Sequence, residues 1–197
     1  MRIIAATGNQ GKLREIKEIF SEFDVVSNKE AGFNIKVEED ADSFAGNAIK
    51  KAKAIAEASG ETSLGDDSGI QIDYFNGWPG VKTARWMEGT DHEKNLAILE
   101  KMKDVPKDQR TVHFVTTIAV VDKDGNCFVG EHILDGTIAT EPRGENGFGF
   151  DEIFELPGGE TLAELSSEEK NQISSRKGAL EKVRRMMESY NKNHSNN

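Results

Sequence analysis

Apolar and polar positions along the chain fall into runs whose period shifts between two and about 3.6 residues, and those shifts mark the elements. Ile3 to Ala6 is a short apolar run that reads as a buried strand. Gly8, Asn9 and Gly11 interrupt it, after which Leu13, Ile16, Ile19 and Phe20 recur on one helical face. Phe23 to Val26 predicts a second strand. The chain thus opens as strand, Gly-rich turn, helix, strand, the start of an α/β fold. A long helix follows the acidic stretch Val37 to Asp42. Asp42 is expected as its N-cap, with Phe44, Ala48, Ala52 and Ile55 at helical spacing.

Thr62 to Gly65 leads into Asp66-Asp67-Ser68-Gly69, which reads as an acidic turn, and the alternation from Ile70 to Tyr74 predicts a strand leaving it. Thr90 and Glu93 have capping-box spacing and open a helix carrying Leu96 and Leu99. Val112 to Val121 and Cys127 to Leu134 predict two long strands joined by a hairpin at Asp122-Lys-Asp-Gly. A Gly-rich loop runs from Arg143 to Asp151. Ser166 and Glu169 repeat the capping spacing, and a helix restarting near Ser174 directs Ile173, Leu180, Val183 and Met187 to the core. Residues 1–190 read as one domain with no internal repeat or linker. The polar tail 191–197 has nothing to bury and is expected to be disordered.

Composition narrows the function classes. The 197 residues carry 25 Lys and Arg against 35 Asp and Glu, a net charge of −10, which argues against a nucleic-acid partner. A small phosphorylated ligand stays open, because a divalent metal and a few local lysines can supply positive charge. The longest strongly apolar stretch, Phe114 to Val121, falls far short of the roughly 20 residues a membrane span needs. The N-terminus turns polar at Thr7, too early for a signal peptide. The single Cys127 rules out an internal disulfide or a Cys-based zinc site. A soluble cytoplasmic protein with no membrane partner is expected.

Four segments carry candidate chemistry. Thr7-Gly8-Asn9-Gln10-Gly11-Lys12 lies between the first strand and the first helix, where unpaired N–H groups, flexible glycines and a lysine suit a phosphate. It equally suits a tight turn with a solvated lysine, and it is not the Walker spacing. Glu38, Glu39, Asp40, Asp42, Asp66 and Asp67 supply oxygen ligands for Mg²⁺, or caps on an acidic surface. The adjacent Asp66 and Asp67 repel each other if buried, a conflict that a bound cation removes. In Gly147-Phe148-Gly149-Phe150-Asp151, a ring and an acid could receive a heterocyclic base, or two phenylalanines could fill a core. Lys170, Ser174, Ser175 and Arg176 near a helix start could bridge the two ends of one ligand, or stay solvated.

Together these segments resemble the inosine triphosphate pyrophosphatase family, the Ham1-like nucleotidases. The matching motifs are Thr7 to Lys12, Ser43-Phe44 with Asn47-Ala48, Asp66 to Gly69, Pro79-Gly80-Val-Lys-Thr-Ala-Arg85, Gly147 to Asp151 with Ile153-Phe154, and Lys170 through Leu180. They stand in the family's order and cover the chain to about Met187. The resemblance implies an elongated α/β fold with a central mixed sheet, two lobes and a cleft, assembled as a homodimer. It implies Mg²⁺-dependent hydrolysis of the purine nucleoside triphosphates ITP, dITP and XTP to monophosphate and pyrophosphate. Carried over by motif, Thr7, Gly8, Asn9, Gln10, Gly11 and Lys12 hold the triphosphate. Glu38 and Asp67 bind Mg²⁺, Asp67 also accepts the proton of the attacking water, and Ser68 touches substrate. Phe148, Gly149, Phe150, Asp151, Ser175 and Arg176 surround the base, and Lys170 contacts substrate.

The chain departs from the family's pattern at four places. Thr83 stands where the family often has Ser, a mild change. Ser175 stands where the family has His, and Phe150 and Glu152 stand where it has Tyr and Pro. These changes bear on base selectivity, and they leave open a Maf-like pyrophosphatase with a shifted base preference. A purine nucleotide sensor without turnover is the third reading. Retention of Glu38 and Asp67 counts against it. Trp78 and Trp86 are candidates for a dimer interface or for the core.

Overall fold

A strand with neighbours on both edges and cover on both faces has no use for alternation, and the first strand shows this. In a computed structural model that describes residues 1–194, β1 (Arg2–Ala6) buries Ile3, Ile4 and Ala5 completely. It lies parallel to both β2 (Asp24–Ser27) and β3 (Ser63–Ile72), pairing Ile3 with Val25 and Ala5 with Leu64. Parallel neighbours require crossovers. These are α1 (Gln10–Ile19), which buries Leu13 and Ile16, and α2 (Phe44–Ser59), which buries Phe44, Ala48, Ala52 and Ile55 as the sequence predicts. The N-cap of α2 is Ser43 rather than Asp42: the Ser43 hydroxyl accepts the Gly46 N–H at 3.1 Å.

The chain does not turn at Asp66-Asp67-Ser68-Gly69. β3 runs straight through it for ten residues. Glycine at position 65 lets α2 pack against this strand, since a Cβ there would stand 2.0 Å from the carbonyl oxygen of Ala48. Downstream come β4 (Trp78–Pro79), α3 (Asp91–Lys101), β5 (Thr111–Val121), β6 (Cys127–Ile138), β7 (Phe154–Glu155), α4 (Ser167–Ile173) and α5 (Ser175–His194). The strand order is β2-β1-β3-β5-β6-β7, with β4 antiparallel to β3 and β7 antiparallel to β6. The fold class is therefore mixed α/β.

The chain divides into two compact units. The first comprises Met1–Asp67, Thr116–His132 and the chain from Ser175 onward. The second comprises Ser68–Val115 and Ile133–Ser174. In the first unit, Ile3, Leu13, Ile16, Phe20, Leu64, Ile118, Leu180, Val183 and Met187 form the main core. In the second, Ile70, Ile72, Ile98, Met102, Val112, Phe150, Ile153 and Phe154 do so, with Trp78 and Trp86 packed against them.

Three local expectations change. The capping box of Thr90 and Glu93 opens α3 as predicted, yet Leu96 is exposed while Asn95 and Ile98 are buried. Ile173 is exposed at the end of α4, whereas Leu180, Val183 and Met187 of α5 are buried. The predicted tail begins inside α5, which continues to His194. The Tyr190 ring meets Phe128 edge-on at 5.5 Å and stacks on His194 at 4.0 Å, giving this polar stretch something to pack on. Residues 195–197 of that tail lie outside the described residues. Among the described residues no helix is long and apolar enough to cross a membrane.

The contact of β3 with α2 is tight enough to test. Gly65→Ala should lower stability by about 1–3 kcal/mol through overpacking, read as a reduced urea midpoint at unchanged slope.

Candidate active site

Successive side chains of a strand point to opposite faces, so Asp66 and Asp67 on β3 meet different surroundings. Asp66 is 1% exposed. Its Oδ1 lies 2.6 Å from Lys12 Nζ, and its Oδ2 accepts the Arg176 Nε–H at 2.7 Å. Arg176 also donates from Nη1 to the buried carboxylate of Glu15. Glu15 and Lys12 come from α1, and Arg176 from the first turn of α5. Burial alone would raise the Asp66 carboxyl, but the Arg176 guanidinium and the Lys12 ammonium outweigh it and hold the group well below the usual carboxylate range. Burial pulls the Lys12 ammonium below the ordinary lysine range, against the attraction of Asp66.

Lys12 reaches Asp66 from a pre-shaped turn. The Thr7 hydroxyl accepts the Asn9 N–H at 3.1 Å, and Asn9 caps α1 by accepting the Lys12 N–H at 3.0 Å. Gly8, Asn9 and Gln10 are exposed, and Gly8 borders open space. A helix N-terminus with an adjacent lysine offers N–H donors and positive potential to an anion. Beside Arg176, the Ser175 hydroxyl lies 2.7 Å from that of Thr116 on β5, and both residues are buried.

Asp67 faces α2. Its Oδ2 accepts the Asn47 amide N–H at 3.1 Å, and its Oδ1 lies 3.5 Å from Lys51 Nζ. The same ammonium donates to Glu39 Oε2 at 3.1 Å. Burial pushes the Asp67 carboxyl above its ordinary value, against the pull of Lys51, Lys12 and Asn47, and nearby Glu39 adds to the rise. A carboxylate held in place by an amide and an ammonium is positioned to accept a proton. Of the acidic pair, Glu39 is the residue drawn to this cluster, while Glu38 is exposed.

The donor set here suits a hard divalent cation. Mg²⁺ takes one or two protein carboxylates and completes its shell with water and phosphate oxygens. Asp67 and Glu39, which already share one ammonium, are oxygen donors of that kind. Among the described residues no group of three His, Cys, Asp or Glu side chains is placed to hold a metal. An ion at this place would therefore depend on ligands from outside the protein.

The second unit holds Ser68, the Gly-rich loop and Lys170. Gly147 and Gly149 have φ of +76° and +62°, a left-handed conformation that disfavours other residues. Asp151 shapes this loop: its Oδ2 accepts the Phe148 N–H at 2.9 Å and pairs with the buried Lys170 ammonium. Lys170 Nζ also sits 4.5 Å from the centroid of the Phe148 ring. Phe148 is half-buried and Phe150 is buried in the core, so Phe148 is the loop ring left with partial access to solvent. Neither Lys170 nor Arg176 is the solvated charge that the sequence left as an alternative.

The candidate residues thus fall into one set around Asp66, with Lys12, Ser175 and Arg176 in the first unit, and another around Asp151 in the second. Reading the sequence missed Glu15, Lys51 and the polar role of Asn47. One signal was available: Asn47 and Lys51 are four apart on α2, among Ala48, Ala52 and Ile55, so two polar groups share an otherwise buried face. Glu15 gave none, since an acid between Leu13 and Ile16 reads as solvated.

Comparison with known proteins bears on this arrangement. The pattern of the Ham1 family matches residues 3–186. A dITP/XTP pyrophosphatase of Bacillus subtilis is 43% identical over 190 residues, covering 94% of this chain and 96% of that protein. One of Symbiobacterium thermophilum is 42% identical over 189 residues, covering 91% of each. Among solved structures, the Ham1 protein of Staphylococcus aureus superposes with a TM-score of 0.84 at 35% identity, covering 96% of this chain and all of the other. That of Coxiella burnetii gives 0.84 at 34% identity, covering 96% and 99%.

Asp66→Asn should destabilise the fold by about 3 kcal/mol, because it leaves the buried Arg176 short of an anion. The Asp66 carboxyl is depressed in the folded state. Its stabilisation is therefore complete above the unfolded carboxylate pKa and is lost as pH falls below that value towards the depressed one. Urea unfolding from pH 7 to pH 3 should show a steeper acid loss in the parent protein than in the variant.

Proposed function

The chain belongs to the Ham1 family, and on that premise we propose that it hydrolyses the deaminated purine nucleoside triphosphates dITP, ITP and XTP to the monophosphate and pyrophosphate, clearing them from the nucleotide pool. The names of its relatives support the substrate class. The observation that carries the chemistry is Asp67, a carboxylate on β3 raised by burial and held between Asn47 and Lys51.

In this reading the turn Thr7 to Gln10, exposed at Gly8, Asn9 and Gln10, binds the triphosphate together with Gly11 and Lys12 through N–H groups and positive charge. Asp67 takes the proton of the water that attacks phosphorus, and Lys51 steadies that carboxylate. Mg²⁺ would be held by Asp67 with a carboxylate of the Glu38-Glu39 pair, and would supply charge neutralisation for the leaving pyrophosphate. Lys12 adds to the same stabilisation where charge develops. In the second unit, Ser68, the loop Phe148 to Asp151 and Lys170 receive the nucleoside. The half-buried ring of Phe148 suits stacking on a base. A cytoplasmic location and a homodimer belong to the same proposal.

Pyrophosphate release from dITP, ITP and XTP should exceed that from dATP and dGTP, and EDTA should abolish it. Asp67→Asn should lower kcat about 10²- to 10⁴-fold, with the far-ultraviolet circular dichroism retained. Unchanged turnover in that variant would sink the assigned role. Because Asp67 acts as a base, kcat/KM should fall as pH drops and its carboxyl takes up a proton, a limb measurable in a pH–rate profile.

A further inference from the structure

The loop Gly147 to Asp151 is held from within by Asp151, yet its central residue is gripped from elsewhere. The carboxylate of Asp91, the first residue of α3, accepts the Gly149 N–H at 2.7 Å. One turn on, the Asn95 amide donates to the Gly149 carbonyl oxygen at 2.8 Å. Both backbone polar groups of one glycine residue, in a left-handed conformation, are thus fixed by two side chains of a single helix turn. The same Asn95 nitrogen donates to Glu152 Oε1 at 2.9 Å, and His92 Nδ1 lies 2.8 Å from that oxygen.

Asn95 is 1% exposed, and its Oδ1 is buried with no hydrogen-bond partner. A buried orphan acceptor is costly, so this amide is not kept for stability alone. An apolar residue would fill the position more cheaply, as Ile98 does one turn further along the same face. What Asn95 provides, and an apolar side chain would not, is a pair of donors that set where Gly149 and Glu152 stand. The Glu152 carboxylate, held between His92 and Asn95, adds a side-chain restraint on the backbone after Asp151.

We infer that Asp91, His92 and Asn95 of α3 form a latch, closed on Glu152, that positions the Gly149 loop for nucleobase recognition. These are positioning residues, acting through the backbone of the loop. The inference rests on the reading of Phe148 to Asp151 as the base-binding segment. A latch of this kind sets how much of the loop's ordering is complete before the nucleotide arrives. Its loss should therefore weaken binding in ground state and transition state alike, raising KM at nearly constant kcat.

The test combines amide hydrogen exchange of the free protein with steady-state kinetics on dITP. Asp91→Ala and His92→Ala alter exposed side chains, and Asn95→Ala alters the buried one. Each should speed exchange of residues 148–152 by about tenfold or more while leaving β1 and β5 unchanged. Each should raise KM for dITP about tenfold with kcat within about twofold. His92→Gln, which retains a donor for Glu152, should restore most of what His92→Ala loses. Unchanged exchange in the loop would overturn the latch, as would a uniform rise in exchange across both units. A fall in kcat at constant KM would overturn the positioning role. If the parent protein releases no pyrophosphate from any of the triphosphates, the nucleotide reading fails, and with it the inferred recognition role. Exchange of 148–152 still decides whether the latch exists.

Discussion

Two neighbouring aspartates buried on one strand are the constraint around which the first unit is built. Like charges in a low-dielectric setting cannot both remain ionised without compensation. The strand's own geometry separates them, sending Asp66 towards α1 and α5 and Asp67 towards α2. The two then diverge in character. Asp66 is held by Lys12 and Arg176 and stays ionised. Asp67 has one more distant ammonium and an amide, and its carboxyl is raised. A charged anchor and a carboxyl of raised pKa thus arise from identical residues one position apart.

Much of the first unit follows from satisfying that pair. Asn9 caps α1 and sets the first turn from which Lys12 extends to Asp66. Glu15, one turn further along α1, takes the second arm of Arg176, so the guanidinium is buried without an unmet charge. Asn47 and Lys51 stand on the face of α2 that packs on β3, where Gly65 admits the helix backbone. A residue with a side chain at 65 would move α2 away and with it both partners of Asp67.

The second unit solves a different problem, which is to give shape to a loop too rich in glycine to hold one. Asp151 binds the Phe148 N–H and Lys170, while α3 binds Gly149 and Glu152. Phe150 anchors the segment in the core. This leaves Phe148 as the ring with partial access to solvent, stacked beneath an ammonium.

What was legible in the sequence was whatever depends on near neighbours along the chain. Periodicity disclosed β1, α1, α2, β5 and β6, and the capping boxes at Thr90 and Ser166 disclosed the starts of α3 and α4. The six ordered motifs disclosed the family, because motif spacing is itself a local property. The acidic run at 66–69 misled, since two aspartates and a glycine favour a turn until charges from residues 12 and 176 make a strand affordable. Leu96 misled for a related reason: Asn95 earns burial only where Gly149 and Glu152, more than fifty residues away, meet its amide. Sequence alone therefore determined most of the longer elements, the fold class and the residue types available for chemistry. The tertiary structure alone decided which carboxylate is neutralised and which is raised, because desolvation and ion pairing are set by distances that no local pattern encodes.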